Sequence, residues 1–326
     1  MDRLAHDLAN RDTDTGGTAP EDIHGDVPAL FFGSPGSAAE DASLRLAIPA
    51  DLLALPELDV LYDGATAALW TFMRPTGRPS FTPTMLGDFV RWQDLIGNHF
   101  GPGKVPLNYL VLGSRAPGVF CFGGDLELFA ALIRARDRAG LAAYGHRCVE
   151  ILHKNMAALD IPMLTVGLVQ GQALGGGFEA LLSFDVIIAE RGSTFGLPEI
   201  MFGLFPGMGA HAILARKLGT ALADRLILSN ETFTAEAMHA MGIVHHLAEP
   251  GEGVAAVRDF MAKSQRRHSG MVAAKAAMRR AAPLALDELR DIVDLWADAA
   301  LRLSPQDLKL MQRLAGAQAR LARAAA

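Results

Sequence analysis

Glu179 and Glu199 stand 20 residues apart, with an apolar strand-like run, FDVIIAE, between them. Glu179 follows three consecutive glycines, Gly175-Gly176-Gly177, where a helix should open. Glycines there let the backbone approach a ligand closely. The free N–H groups of a helix start present a local positive field that suits developing negative charge. A solvated first-turn carboxylate is the ordinary reading of Glu179. Glu199 is harder to read as surface charge, because it sits within FGLPEIMFGLFPGMGAH, rich in apolar residues, Gly and Pro. Two carboxylates in one cleft tend to split their proton affinities, giving one acid and one base. Together the residues suggest proton transfer beside a stabilised oxyanion.

Competing readings are weaker. Gly175, Gly177 and Ala180 fit G-x-G-x-x-A, a dinucleotide fingerprint. Such a unit needs a longer crossover helix than the space before Phe184 allows. No Lys-Ser or Lys-Thr follows the glycines, which excludes a Walker loop, and the glycines alone could serve close packing. There is no G-x-S-x-G elbow. Cys121 could be a reactive thiol, but a buried cysteine more often acts as a small apolar residue.

These groups need a scaffold. Strands are expected at 57–63 and 66–73 around an Asp63-Gly64 turn, and at 107–113, 163–169 and 184–190. Thr82-Pro83 marks the start of a helix running to about Ile96. Helix is expected from Asp125 to Leu159 with a break near Gly140. A short strand is expected near 243–247, and from Pro283 an amphipathic helical stretch runs close to the C-terminus. Alternating strands and helices followed by a helical tail indicate an α/β fold with a C-terminal helical region. No repeat of fixed period is visible.

The chain has 326 residues, half of them hydrophobic and a fifth charged, enough for one large domain or two smaller ones. Residues 1–45 carry nine acidic residues among Gly/Pro-rich pieces and are expected to be a disordered extension. Residues 46–250 form the expected core and 251–326 the helical region. Two cysteines, Cys121 and Cys148, make neither a disulfide framework nor a zinc motif. The histidines form no metal signature, so no metal or redox cofactor is expected. A net charge of −6 disfavours general nucleic-acid binding. The absence of a long apolar run or signal core disfavours a membrane span or secretion, and the expected location is the cytoplasm.

The segments GQALGGGFEALLSFDVIIAE, TFGLPEIMFGLFPGMGAH and VFCFGGDLELF resemble the crotonase (enoyl-CoA hydratase/isomerase) superfamily over about residues 57–250. RPTGRPSFTPTML and LWADAALRLSPQDLKLMQRL look like its diffusible signal factor synthase branch, which makes cis-2-unsaturated fatty acids used as bacterial signals. The acidic residues before 46 depart from that pattern. The resemblance implies a crotonase-like spiral of ββα units, assembled as trimers or dimers of trimers. It implies Glu179 and Glu199 as the catalytic pair, with backbone N–H donors from Cys121 and Gly176, and a further donor from Gly123.

By the same resemblance, the expected reaction is dehydration of a 3-hydroxyacyl thioester, carried on acyl carrier protein or coenzyme A, with release of the free cis-2-enoic acid. Met208, Trp296 and Leu314 are expected as acyl-pocket walls, although helix packing explains each equally well. Lys263, Arg266, Arg267, Lys275, Arg279 and Arg280 fall in an 18-residue run without acid. That run reads as a solvated helix face or as a docking patch for an acidic carrier or coenzyme A phosphates. An ordinary enoyl-CoA hydratase or isomerase, or a non-catalytic binding member of the fold, would share these features.

Overall fold

The computed structural model describes residues 48–324. The expectations for residues 1–45, and for the onset of order near Leu46, lie outside them. A one-turn helix, α1 (Ala50–Leu53), precedes the hairpin of β1 (Leu58–Asp63) and β2 (Ala68–Met73). Asp63 closes its turn by accepting from Ala65 N at 3.0 Å and Thr66 Oγ1 at 2.7 Å. Helix α2 (Pro83–His99) starts where Thr82-Pro83 predicts, Thr82 Oγ1 accepting from Met85 N at 3.1 Å.

Next come β3 (Tyr109–Ser114), β4 (Val119–Cys121), α3 (Leu126–Arg134) and α4 (Arg138–Met156). The helical break expected near Gly140 falls at residues 135–137. Arg136 adopts a left-handed φ of 54°, and Asp137 caps α4 by accepting from Gly140 N at 2.8 Å. Gly140 therefore lies inside the first turn of α4.

The pattern then repeats with β5 (Leu164–Val169), β6 (Gln172–Leu174) and α5 (Gly176–Leu181). It repeats again with β7 (Val186–Glu190), β8 (Thr194–Gly196) and a 3-10 turn over Pro198–Phe202. Each ββα unit gives one strand to each of two sheets, which makes the chain a spiral. One sheet runs β1-β2-β3-β5-β7-β10, with β10 (His246–Ala248) at its edge. From β2 through β7 to β10 it is parallel. Strands β2 and β5 are buried along their whole length, as continuous apolar runs covered on both faces should be.

The second sheet runs β4-β6-β8-β9, where β9 is Thr232–Thr234. Its first three strands are parallel neighbours, so the loops leaving their C-terminal ends converge. Those loops are Phe122–Gly124, Gly175-Gly176 and Leu197–Glu199. Ligand sites of parallel sheets form at such ends.

The remaining elements are helical: α6 (Ala210–Leu218), α7 (Thr220–Leu228), α8 (Ala235–Ala240), α9 (Gly253–Ser264), α10 (His268–Ala281), α11 (Leu286–Ala300) and α12 (Pro305–Ala324). Helix α11 buries Leu289, Val293, Trp296, Ala297 and Ala300, a stripe at helical spacing that packs on α4. Gly145 allows the close fit, since a Cβ there would meet Val293 Cγ1 at 2.5 Å. Helix α12 lies over α3 and the 3-10 turn that carries Glu199. No helix among the described residues is long and apolar enough to cross a membrane.

Candidate active site

A cavity of about 1010 Å3 opens where the three loops meet, lined by Gly124, Gly175, Gly176, Glu179, Glu199 and Met208 among others. Trp296 from α11 and Leu314, Ala317 and Gln318 from α12 close it from the other side. All three expected wall residues, Met208, Trp296 and Leu314, therefore border the space that holds both glutamates.

Glu179 is 1% exposed, on the first turn of α5. Its Oε1 accepts from Met208 N at 2.9 Å and Ala210 N at 3.0 Å. Glu199 Oε1 lies beside Gly175, 2.6 Å from where a Cβ there would sit, and its Oε2 is buried without a partner. Burial pushes the Glu179 carboxyl up to about 7, against the lowering effect of the Ala210 and Met208 amides. Burial, and then the Glu179 charge, push Glu199 up to about 8. The two N–H donors make Glu179 the better seat for negative charge, so near neutral pH the pair favours an ionised Glu179 beside a protonated Glu199.

The first loop offers a different amide from those expected. Cys121 lies in β4, paired with Ala173, and does not border the cavity. The Gly123 N–H is turned to Cys121 Sγ at 3.3 Å. The Phe122 N–H donates to Pro79 O at 2.7 Å. Gly124 does border the cavity, and none of the described residues accepts its N–H. Gly176, as the first residue of α5, has no acceptor within the helix for its N–H. A Cβ on Gly176 would lie 3.5 Å from Gly124 N, so the two amides flank one small space.

Sequence alone could not choose among the amides of FCFGGD, because the choice depends on which are already bonded. The segment before α2 does that sorting. Phe81 N donates to Gly123 O at 2.7 Å, and the Tyr144 hydroxyl donates to Phe81 O while accepting from Asp125 N. Asp125 caps α3 and pairs with Arg78 at 2.7 Å. Gly177 has another function: a side chain there would collide with the Cys121 carbonyl, so the glycine lets α5 pack against β4.

Burial pushes the Cys121 thiol up to about 12, which leaves it protonated and poorly nucleophilic. His211 is half-buried near Pro206 and does not border the cavity. No cluster of His, Cys, Asp or Glu that could hold a metal occurs among the described residues. The basic run is partly neutralised: Arg279 makes two 2.9 Å contacts with Asp185, Lys275 donates to Asp185 O, and Lys263 pairs with Asp259 at 2.7 Å. Arg266, Arg267 and Arg280 are exposed.

Two sheets wound in ββα turns, with a glycine cradle and paired carboxylates at their strand ends, define a class of fold and site suited to proton transfer beside an oxyanion. The enoyl-CoA hydratase/isomerase family model matches residues 101–295, and the chain belongs to that family. It is 35% identical over 167 residues to the 2,3-dehydroadipyl-CoA hydratase of Escherichia coli, covering 50% of this chain and 64% of that protein. It is 32% identical over 150 residues to the mitochondrial methylglutaconyl-CoA hydratase of Rattus norvegicus, covering 46% of this chain and 45% of that one. The chain thus spans about half the length of the curated relatives it matches. Among solved structures it is similar to DspI of Pseudomonas aeruginosa, with a TM-score of 0.61 and 25% identity over 74% of this chain and 95% of that chain.

Proposed function

We propose that the protein dehydrates a 3-hydroxyacyl thioester and then hydrolyses the thioester, releasing a free cis-2-unsaturated fatty acid. The observation that carries this reading is the pair of glutamates, Glu179 buried and Glu199 half-buried with its Oε2 shielded, bordering one cavity with the Gly124 and Gly176 amides. The thioester oxygen lies between the two N–H donors, which stabilise the enolate as the α-proton leaves. Losing one such donor costs about 3–4 kcal/mol of transition-state stabilisation. One glutamate takes the α-proton and the other protonates the departing β-hydroxyl. A pair holding one proton is already charged correctly for that exchange. Hydrolysis reuses the same donors, with a water activated by a glutamate in place of a serine nucleophile.

The acyl tail extends along Met208, Trp296 and Leu314. The exposed Arg266, Arg267 and Arg280 receive the acidic acyl carrier protein or the phosphates of coenzyme A. The working assembly is a homotrimer or hexamer in the cytoplasm.

A second reading is reversible hydration of a trans-2-enoyl-CoA, favoured by the hydratase names of the curated relatives. Mass spectrometry of products from purified protein and a 3-hydroxyacyl-carrier protein separates the two. Free cis-2-enoic acid supports the first reading. Conversion confined to the trans-2-enoyl and 3-hydroxyacyl thioesters supports the second. Absence of turnover with every acyl thioester would leave a non-catalytic binding member of the family.

A further inference from the structure

Behind the glycine cradle lies a second cavity, bordered by α2, α4 and α5. Its walls are apolar, with Phe81, Phe89, Trp92, Leu112, Leu152 and Phe184 among them. Met208 borders both this cavity and the first one. Its thioether rests against Gly176, 2.5 Å from where a Cβ would lie. An unbranched thioether changes rotamer easily, so this shared wall residue can move.

Two polar groups break the apolar lining. Gln93 and Asn155 border the cavity at 3% and 5% exposure, and neither Gln93 Oε1 nor Asn155 Oδ1 has a partner. Their orientations are fixed by their other ends. Gln93 Nε2 donates to Ile151 O at 2.8 Å, and Asn155 Nδ2 donates to Ser183 Oγ at 2.8 Å and to Ser183 O at 3.3 Å. Turning either amide over would set its oxygen against a backbone carbonyl. Gln93 reaches across from α2 to the carbonyl of Ile151, one turn before Asn155 on α4, so the two amides face the cavity from neighbouring helices. A dry hydrocarbon pocket would have no use for two unmet acceptors, which are costly to bury. The lining suits an apolar body ending in a hydrogen-bond donor.

We propose that the second cavity is the far end of the acyl site and selects chains that carry a hydroxyl near the tail, with Met208 yielding to let the chain through. This rests on the reading that the first cavity holds an acyl thioester, and it does not depend on which reaction follows. The test is therefore binding. Calorimetry on the full chain compares saturated acyl-CoA thioesters with methyl ends and with terminal hydroxyls, over a series of chain lengths.

The expected result is one chain length at which the terminal hydroxyl tightens binding about tenfold or more. Gln93→Met and Asn155→Leu should remove that preference while methyl-ended chains bind as before. Equal or weaker binding of the hydroxyl-ended chains at every length would overturn the proposal and leave the amide oxygens to a bound water. So would a preference that survives in both variants. Binding with tail selection but no turnover of any thioester would count against the dehydratase reading alone.

Discussion

Met208 holds Glu179 with its backbone and shields Gly176 with its side chain: its N–H donates to Glu179 Oε1 at 2.9 Å, and its thioether lies over the Gly176 Cα. One residue thus positions a carboxylate and covers the cradle beside it. The Gly-Pro-rich run before α6 matters because it delivers the Met208 and Ala210 amides to a buried acid.

Glu179→Gln and Glu199→Gln should each lower kcat for dehydration by roughly 10²–10⁴. Steady-state kinetics on a 3-hydroxyacyl thioester checks this, with circular dichroism to show that the variants fold. Near-normal kcat in either variant would remove that residue from the proton-transfer pair.

The pair also predicts a narrow pH optimum. Activity needs one ionised and one protonated carboxylate, so kcat/KM should rise through about 7 and fall through about 8 as the two-proton site loses its protons in turn. Either Glu→Gln variant should lose this bell shape in its residual activity.

Stability should run the other way from a protein held by carboxylate ion pairs. Both acids are raised from 4.5 in the folded state, so above that pH the native chain binds more protons than the unfolded one. With νN greater than νU, stability falls as pH rises from about 4.5 to about 8. Thermal melts should show Tm declining over that window, with a shallower decline and a higher Tm at the alkaline end for Glu199→Gln.

Gly176→Ala should lower kcat by roughly 10²–10³ with only a modest fall in Tm. The new methyl would displace the Met208 thioether, which can move, and press on the Gly123 Cα at 3.3 Å, and it would occupy the space between the two amides. Cys121→Ala should retain most activity, because the thiol is protonated and outside the cavity. The contrast between these two variants distinguishes a backbone cradle from thiol chemistry.

Much of this was legible in the residues. Asp63-Gly64, Thr82-Pro83 and the long apolar runs located β1, β2, α2, β3, β5 and β7 to within a few residues. The motif around Gly175-Gly176-Gly177 marked Glu179, and the apolar setting marked Glu199. The second sheet was not legible. Strands β4, β6, β8 and β9 have three residues each, too few to show a period of two, yet three of them aim the site loops. The amides of the first loop could not be told apart for a related reason. Which N–H is left open depends on the Cys121 thiol, which accepts from Gly123, and on contacts of the loop with Pro79 and Phe81, some 40 residues earlier in the chain. Gln93 and Asn155 gave no signal, since an amide on an amphipathic helix reads as surface until its burial is known.

The central claim is that the two glutamates and the Gly124 and Gly176 amides act on one thioester carbonyl. Hydrogen exchange at the α-carbon tests it most directly. A saturated acyl thioester, with no hydroxyl to lose, is incubated with the protein in D2O and followed by mass spectrometry. The account predicts deuterium entering at the α-carbon with the native protein and falling to background with Glu179→Gln and Glu199→Gln. No incorporation with the native protein, or undiminished incorporation in both variants, would contradict it.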